Sequence, residues 1–399
     1  MNRRAALRGG AILIVLAVGF IAGIYTDQAY PDYLPYFGHR SVAQVDLTPL
    51  QQAVRLIQAD YVDGKVDPGK LTQGSVRGLV AALGDPFSAY YDPAQYKRLQ
   101  DSYQGRYSGI GIYLSFTADH PLITGTVPGS PAAAAGLQKG DEIVKVGEKD
   151  TKGITADEAA SLIQGPDGTT VTLTISRGDQ AFSVSIKRAE IRVPTVRSTV
   201  IANHVLYVHI YQFGSDTAAD FASALTSGLP GATGVVLDLR GNPGGFVTAA
   251  DAVISQFVTS GETFELRDRS GNVERHEVTG QHLAPTVPLV VLVDANSASA
   301  SEIVAGSLQA HHRARLVGAT TYGKGSVQQD FELSDGADVH LTVKRWYLPD
   351  GRTIDHRGLT PDFNVTLPSG NIAFDVTQPS LGYTKDTQLN AALALLPPG

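Results

Sequence analysis

The chain has 399 residues, of which 43% are hydrophobic and 18% charged, and a formal net charge of -7. This length and composition are typical of two or three globular domains. The acidic balance and the lack of a basic stripe argue against a nucleic-acid partner. Because the chain has no cysteine, disulfides, thiolate metal sites and thiol catalysis are excluded, although the redox compartment stays open.

The N-terminus combines three arginines with an apolar run. Arg3, Arg4 and Arg8 precede residues 11–25, and no charge falls between Arg8 and Asp27. An uncleaved anchor is favoured over a cleaved signal because no A-x-A site follows the run. The pattern predicts a single-pass protein of the cell membrane, with the main part of the chain on the exported (periplasmic or extracytoplasmic) side. The predicted segments are a cytoplasmic basic segment at 1–9, a transmembrane anchor at 10–26 and a linker at 27–44.

Residues 45–103 have the pattern of a small helical region. Apolar residues recur at helical spacing over 47–57 and again over 71–83. Glycine and proline within 84–87 end the second of these helices, since neither residue continues a helix.

Residues 104–190 change to short strands with one inserted helix. The helix is predicted at 155–164, where Glu158 follows Thr155 by three residues in a capping-box pattern. A separate, mostly β domain is therefore expected here. Its strands are predicted at 109–114, 122–127, 142–146 and 170–176.

Strands alternate with helices over 191–370, which predicts an α/β core. Residues 234–239 and 287–293 are near-continuous apolar runs, typical of strands buried on both faces. The other predicted elements are a strand at 204–213, helices at 216–225 and 299–310, and a last helix at 386–396 within a C-terminal tail at 371–399.

Ser299 would open the helix that follows a predicted buried strand. N–H groups at a helix start carry partial positive charge, so the Ala300 N–H would lie near an oxyanion formed at Ser299. The sequence from Ser299 to Glu302 is equally the pattern of a helix cap. Ser297 and Ser301 compete for the nucleophile role by position.

A lysine, a glycine-rich turn and a pair of histidines each allow a purely structural interpretation as well as a functional one. Lys324 lies between two glycines, where a lysine is usually a solvated charge. The glycine-rich turn at 238–245 lets the backbone approach a ligand, but a strand-to-helix turn has the same need. No G-K-[ST] follows that turn, which excludes a phosphate loop. Adjacent His311 and His312 do not share a helix face, so a solvated helix end is favoured over a metal site.

Long ordered segments resemble the carboxyl-terminal processing (tail-specific) proteases, a Ser/Lys peptidase family. The densest matches are D-A-N-S-A-S-A-S-E-I at 294–303 and T-Y-G-K-G-S-V-Q at 321–328. The resemblance covers about 45–396 and implies an α/β catalytic core at 191–370 with an inserted PDZ domain at 104–190, mostly β with two helices. The small helical region at 45–103 precedes them and is covered by the resemblance. The N-terminal transmembrane helix, predicted from the arginines and the apolar run, and the linker after it lie outside the resemblance. Further matching segments lie at 83–91, 107–114, 130–137, 140–143, 238–245, 346–354 and 358–362.

The resemblance assigns catalytic roles. It selects Ser299 as the nucleophile and Lys324, with a pKa lowered by burial, as the general base. Gln328 would orient the lysine amine by hydrogen bonding. The N–H groups of Gly245 and Ala300 would form the oxyanion hole. No metal or cofactor is implied.

The PDZ resemblance implies capture of protein or peptide substrates by their apolar C-termini. An extended peptide would add a strand, and backbone N–H groups would hold its carboxylate. The partners implied are these substrates and the membrane, and a homo-oligomer stays open. The peptide-binding residues implied are Gly109, Ile110, Gly111, Ile112 and Leu114.

Two positions depart from the family pattern. Ala310 stands where some members have aspartate, so no carboxylate is assigned to the catalytic unit there. Gln164 stands where several relatives have arginine, so any coupling of tail binding to activation would differ. The predicted function is a membrane-anchored serine endopeptidase. The rival hypothesis is a non-catalytic PDZ-containing binding or scaffold protein with the same core fold, which the intact Ser299, Lys324 and donor loops disfavour.

Overall fold

The computed structural model describes residues 45–116, 119–127, 129–192, 194–368, 373–376 and 382–398. The chain divides into two compact units, Met1–Gly74 and Ser75–Gly399. The anchor predicted at 10–26 lies outside the described residues. Within the described ranges, no helix has both the length and the apolarity that crossing a membrane requires.

The N-terminal region is helical with one strand. Its helices are α1 (Thr48–Asp60), α2 (Pro68–Ala81) and α3 (Pro93–Tyr103). Between α2 and α3, β1 (Ala89–Tyr91) pairs antiparallel with β18 (Asp338–Tyr347) of the core. The helical prediction for 45–103 missed this strand. Tyr90 is buried beside Val80 and Ala337, and tyrosines favour an extended, half-buried chain.

Residues 106–192 form the expected small β domain. The sheet order is β3-β4-β5-β7-β8 with β6 on β5, and β2 pairs separately with β9. Helices α4 (Pro131–Ala134) and α5 (Ala156–Ile163) lie in the connections, and Thr155 forms the predicted capping box with Glu158. The strands are β2 (Arg106–Gly109), β3 (Ile112–Ser115), β4 (Leu122–Thr126), β5 (Glu142–Val146), β6 (Lys149–Asp150), β7 (Thr170–Arg177), β8 (Gln180–Lys187) and β9 (Ala189–Arg192).

A six-stranded sheet forms the centre of the α/β core. In spatial order its strands are β10 (Val196–Ile201), β11 (Val205–Ile210), β12 (Gly234–Asp238), β15 (Leu289–Val293), β16 (Arg315–Gly318) and β19 (Phe363–Asn364). β10 is antiparallel to β11, and the later neighbours are parallel. Every residue of β12 and β15 is buried, as their apolar runs predicted.

Helices cover both faces of this sheet. They are α6 (Thr217–Gly228), α7 (Val247–Ser255), α8 (Ala300–Ala310) and α9 (Thr387–Ala394). Val291 of β15 belongs to the apolar cluster that includes residues of α6, α7 and α8, whereas its neighbour Leu292 belongs to the cluster that includes residues of α9. The loops that leave β12 and β15 therefore start from strands fixed on both faces.

A second sheet of five strands completes the core. Its order is β1-β18-β13-β14, with β17 also paired to β18. The strands not yet given are β13 (Glu262–Asp268), β14 (Val273–Glu277) and β17 (Ser326–Glu332). Since β17 begins two residues after Lys324, the loop that carries this lysine connects the two sheets.

Candidate active site

Three serines lie at the start of α8, and their surroundings differ. Ser297 and Ser301 are fully buried, and each donates its hydroxyl hydrogen to a main-chain carbonyl, at 2.8 Å to Leu239 and 3.0 Å to Asn242, respectively. Ser299 is partly exposed and is the N-cap of the helix. Of the three candidates, Ser299 is therefore the serine that a substrate can reach.

The backbone of Ser299 is strained. Its φ of 55° and ψ of -116° lie outside the regions that non-glycine residues ordinarily adopt. The Ser299 N–H donates to Glu302 Oε2 at 2.8 Å, so the glutamate side of the predicted cap is present. A helix cap does not require a strained backbone. Functional sites often retain such conformations, although each costs about 1–3 kcal/mol. The structure therefore favours a role for Ser299 beyond capping.

Gly244 and Gly245 bring a second loop against Ser299. Gly244 has a φ of 103°, and a Cβ there would lie 2.8 Å from Ser299 Cβ and 3.0 Å from the Ala300 nitrogen. Gly245 has a φ of 138°, and a Cβ there would lie 2.1 Å from the Phe213 carbonyl oxygen. Both positions therefore require glycine. The two predicted oxyanion donors, Gly245 and Ala300, belong to segments in direct contact.

Asn242 fixes the shape of this glycine loop. Its fully buried side chain donates from Nδ2 to the Ile210 carbonyl at 2.7 Å and accepts from the Gly244 N–H at 2.8 Å. Its carbonyl oxygen accepts from the Ala298 N–H and the Ser301 hydroxyl, both at 3.0 Å. One residue thus joins the glycine loop to the end of β11 and to the start of the nucleophile helix.

A buried ion network holds the first residues of the same loop. Arg240 is 6% exposed, and its Nη2 lies 2.5 Å from Asp238 Oδ2 and 2.9 Å from Asp386 Oδ2. Asp386 also caps α9 by accepting from the Leu389 N–H at 2.9 Å. Burial pushes the pKa of Asp238 upward, but Arg240 and the Tyr207 hydroxyl keep it below the ordinary value. The sequence analysis missed this role of Asp386, which lies 146 residues from Arg240.

Lys324 lies half-buried in the loop between β16 and β17. Burial lowers the pKa of its amine, and the charges of Asp85 and Glu302 offset part of the fall. Its Nζ lies 5.2 Å from the centre of the Phe87 ring. The turn at 84–87, which follows α2, therefore lies beside this amine. A lowered pKa increases the fraction of neutral amine, which is the form that accepts a proton.

One buried carboxylate joins the serine and lysine segments. Glu302 is fully buried, and its Oε2 accepts from the N–H groups of Ser299 at 2.8 Å and Lys324 at 2.9 Å. Its Oε1 accepts from the Gly323 N–H at 2.8 Å and the Thr321 hydroxyl at 2.5 Å. Burial raises the pKa of Glu302, and these donors oppose the rise. Sequence reasoning treated Glu302 only as a cap residue, because the contacts to 321–324 depend on tertiary structure.

Gln328 lies on β17, four residues after Lys324. Its amide nitrogen donates to the hydroxyls of Ser326 at 2.9 Å and Thr342 at 3.0 Å. The amide oxygen is then the atom suited to accept a hydrogen bond from an amine. No contact between Gln328 and the Lys324 amine is recorded within the described residues, so that orienting role stays a prediction.

The predicted peptide-binding residues lie at the end of β2, in the turn after it and on β3. Gly111 has a φ of 80° and divides the single strand that was predicted at 109–114. A Cβ at Gly111 would lie 2.3 Å from Ser130 Cβ, so glycine is required. The carbonyls of Ile110 and Gly111 accept from the N–H groups of Ala132 at 2.8 Å and Val127 at 2.9 Å.

Those two carbonyls set the direction of the next amides. In a trans peptide the C=O and the following N–H point in opposite directions, so the Gly111 and Ile112 N–H groups point away from 127–132. β3 is the terminal strand of its sheet, and Ile112 and Leu114 pack on the apolar cluster of the domain. Gly109 lies on β2 and pairs with β9.

A basic side chain does occur near Gln164, although it comes from another element. The Arg188 guanidinium donates to the carbonyls of Ile163 at 2.8 Å and Leu162 at 3.1 Å. These are the last residues of α5, where a cation interacts favourably with the helix end. The absence of arginine at 164 therefore does not leave this helix end without a basic partner.

The fold and the site define a serine-type peptidase with a PDZ domain. Residues 204–365 match peptidase family S41, residues 122–177 match the PDZ domain, and residues 37–94 match the activating protease CtpB N-terminal domain. The relatives below cover most of the chain at more than 30% identity. The chain belongs to peptidase family S41.

Within that family the chain is similar to the carboxy-terminal processing proteases. It is 37% identical over 322 residues to the carboxy-terminal processing protease CtpA of Bacillus subtilis, covering 80% of this chain and 69% of the relative. It is 32% identical over 362 residues to a probable CtpA-like serine protease of Staphylococcus aureus, covering 90% and 71%. The solved photosystem II D1 C-terminal processing protease aligns with a TM-score of 0.51 at 28% identity, covering 80% of this chain and 88% of that one.

Proposed function

We propose that this chain is an endopeptidase in which Ser299 is the nucleophile and Lys324 the general base. The observation that carries the proposal is the Glu302 carboxylate, which accepts from the main-chain N–H groups of both residues. A nucleophile and its base must lie within hydrogen-bonding reach, and a shared anchor for their main chains serves that need. The lowered pKa of Lys324 and the exposure of Ser299 support the same roles.

The proposed reaction proceeds through an acyl-enzyme. The Ser299 hydroxyl attacks the scissile carbonyl as the neutral Lys324 amine takes its proton. The N–H groups of Gly245 and Ala300 donate to the tetrahedral oxyanion. Collapse breaks the C–N bond, and Lys324 gives its proton to the leaving amine. Water then attacks the ester on Ser299 with Lys324 again as base, which releases the acid and restores the hydroxyl.

The test of this mechanism is a set of single and double variants. Ser299→Ala and Lys324→Ala should each abolish cleavage of an unstructured substrate, and the double variant should be no worse because the two residues act as a unit. Lys187→Ala, exposed on β8, is the matched control and should retain wild-type cleavage. Circular dichroism should show that each variant is folded.

Two outcomes would contradict the proposal. Near wild-type cleavage by Lys324→Ala would exclude this lysine as the base. A folded wild-type chain that binds peptides but cleaves none, at any pH at which its amine is neutral, would favour the rival hypothesis of a PDZ-containing binding protein.

The PDZ domain is proposed to capture substrates by their C-termini. The free edge of β3 would accept the peptide as an added strand, with its carboxylate at the N–H groups of Ile110, Gly111 and Ile112. Full-length chain with Ser299→Ala should bind an apolar C-terminal peptide more tightly than the same peptide with an amidated terminus or a terminal aspartate. Equal affinity for the free and amidated peptides would refute carboxylate capture.

The N-terminal segment is proposed to anchor the protein in the cell membrane with its catalytic part exported. The support is the order of the basic segment at 1–9 and the apolar run at 11–25. Added protease should digest the catalytic part in spheroplasts while an N-terminal tag survives. Protection of the catalytic part would reverse the orientation, and its release as a soluble exported fragment would show a cleaved signal.

A further inference from the structure

Three metal-ligating side chains converge on the hairpin that follows the lysine loop. Asp330 lies on β17, and Asp338 and His340 lie on β18. One ligand atom from each residue lies within 4.8 Å of those of the other two. The cluster is separate from the serine and lysine segments, and the proposed peptidase mechanism does not use it.

Asp338 is the unusual member of this cluster. Its side chain is 0% exposed, and neither carboxylate oxygen has a hydrogen-bond partner. A buried carboxyl group with no hydrogen-bond partner is a state that folded proteins rarely tolerate.

His340 does not provide a partner for Asp338. Its Nδ1 lies 2.5 Å from Asp330 Oδ1, on the other carboxyl group of the cluster. Both oxygens of Asp338 stay without a hydrogen-bond partner beside this pair. The geometry therefore leaves a buried carboxyl group that faces two other ligand atoms and lacks a partner of its own.

Aromatic side chains lie near the same cluster. The rings of Tyr91 and His340 meet edge to face with centres 5.8 Å apart. The charges of Asp330 and Asp338 also act on the Tyr103 phenol, whose pKa burial raises to about 12. Apolar groups beside a metal site limit the access of water to it. The Asp330 side chain, 29% exposed, provides the route by which an ion would enter.

We propose that Asp330, Asp338 and His340 form a binding site for a divalent transition-metal ion of the Zn²⁺ class. An imidazole with two carboxylates is a ligand set that suits Zn²⁺, whereas Mg²⁺ and Ca²⁺ prefer oxygen ligands throughout. Ligand bonds of about 2.0–2.2 Å would draw the three atoms together by small side-chain rotations. Three protein ligands leave a further position for water. The ion would connect β17 to β18, and it supplies no step of the proposed peptide hydrolysis.

The test uses the full-length Ser299→Ala chain, purified without a polyhistidine tag and stripped with a chelator. This background cannot digest itself, so binding is measured apart from activity. Titration calorimetry with Zn²⁺ should show one bound ion per chain, and Zn²⁺ should raise the melting temperature while equal Mg²⁺ or Ca²⁺ should not. Co²⁺ in place of Zn²⁺ should give the visible absorption bands of a low-coordinate site.

Variants locate the site. Asp338→Asn and Asp330→Asn should each weaken Zn²⁺ affinity by about 10-fold or more. The second variant changes a partly exposed residue and remains informative if Asp338→Asn is poorly folded. Glu277→Gln, at the exposed end of β14, is the matched control and should bind as tightly as the parent. Absence of Zn²⁺ binding in the parent, or equal loss in Glu277→Gln and Asp338→Asn, would overturn the proposal.

Discussion

Glu302→Gln is the substitution whose effect the structure defines most sharply. The side chain keeps its size, but one carboxylate oxygen becomes an amide that donates hydrogen. The four donors divide evenly, because Oε2 accepts from Ser299 and Lys324 while Oε1 accepts from Thr321 and Gly323. Whichever oxygen the amide replaces, two donors lose their acceptor together, either the buried pair from Thr321 and Gly323 or the part-buried pair from Ser299 and Lys324.

The magnitude follows from that count. A buried donor left without an acceptor costs about 1–3 kcal/mol, so two of them cost about 2–6 kcal/mol. Removal of the buried charge offsets part of this loss in free energy of unfolding, because burial disfavours the ionised form of Glu302. We therefore expect a loss in the lower half of that range, about 2–4 kcal/mol in free energy of unfolding. We also expect lower kcat/KM, since the main chains of Ser299 and Lys324 lose their common anchor.

A second, electrostatic effect separates this residue from an ordinary core contact. The Glu302 charge raises the pKa of Lys324, so its removal should lower that pKa further and move the pH profile of kcat/KM to lower pH. The assay is urea unfolding together with kcat/KM measured across pH. Glu158→Gln is the matched control, because Glu158 occupies the same capping position on α5 in an exposed site. A stability loss equal to that control, with kcat/KM and its pH profile unchanged, would refute the reasoning.

Three further predictions concern the lysine and the tail. The kcat/KM of the wild-type enzyme should rise with pH through the lowered pKa of Lys324, and a flat profile between about pH 5 and 9 would contradict proton abstraction by it. Lys324→Met should unfold at higher urea than wild type at neutral pH. Because folding lowers the pKa of Lys324, the charged lysine destabilises the folded state at pH values below its folded pKa. This penalty disappears as the pH rises through the lysine pKa of the unfolded chain, about 10.4. Equal urea midpoints for Lys324→Met and wild type at neutral pH would show that burial does not lower the pKa of Lys324. Asp386→Ala removes one of the two buried carboxylates that pair with Arg240, together with the cap of α9, and should cost about 2–4 kcal/mol. It should also reduce kcat/KM, because the glycine loop follows Arg240. Lys385→Ala is the control, and full activity in a destabilised Asp386→Ala would show that Asp386 does not support the active site.

The sequence predicted those parts of the fold that depend on local pattern. The apolar runs at 234–239 and 287–293 are buried central strands, and the capping box at Thr155 opens α5. The local pattern missed β1, because three residues cannot show an alternation and their pairing partner β18 begins far along the chain. It also joined β2 to β3, since a glycine in an apolar run does not show its own φ.

For a related reason, the sequence predicted the reactive residues of the candidate site but not the residues that hold them in place. Ser299 and Lys324 stand in segments whose resemblance to a family is dense, and the structure separates Ser299 from its two neighbours by exposure. Asp386 and the second role of Glu302 had no sequence signal, because their partners lie on other elements. The Asp330 and Asp338 pair has no known motif spacing, and only the β17–β18 register brings the two side chains together.

The reactive residues are partly exposed, whereas the residues that hold them in place are buried. Ser299 and Lys324 are partly exposed, whereas Asn242, Glu302 and Asp386 are buried, with side chains that bind main-chain groups or a guanidinium. A serine held at a φ of 55° persists only if its surroundings determine the backbone, and side chains alone at the surface could not do so. Because the holding residues are buried and polar, their loss removes several hydrogen bonds at once. Substitutions at Ser299 and Lys324 should therefore abolish chemistry without a loss of stability, while substitutions at the three buried residues should reduce both activity and stability.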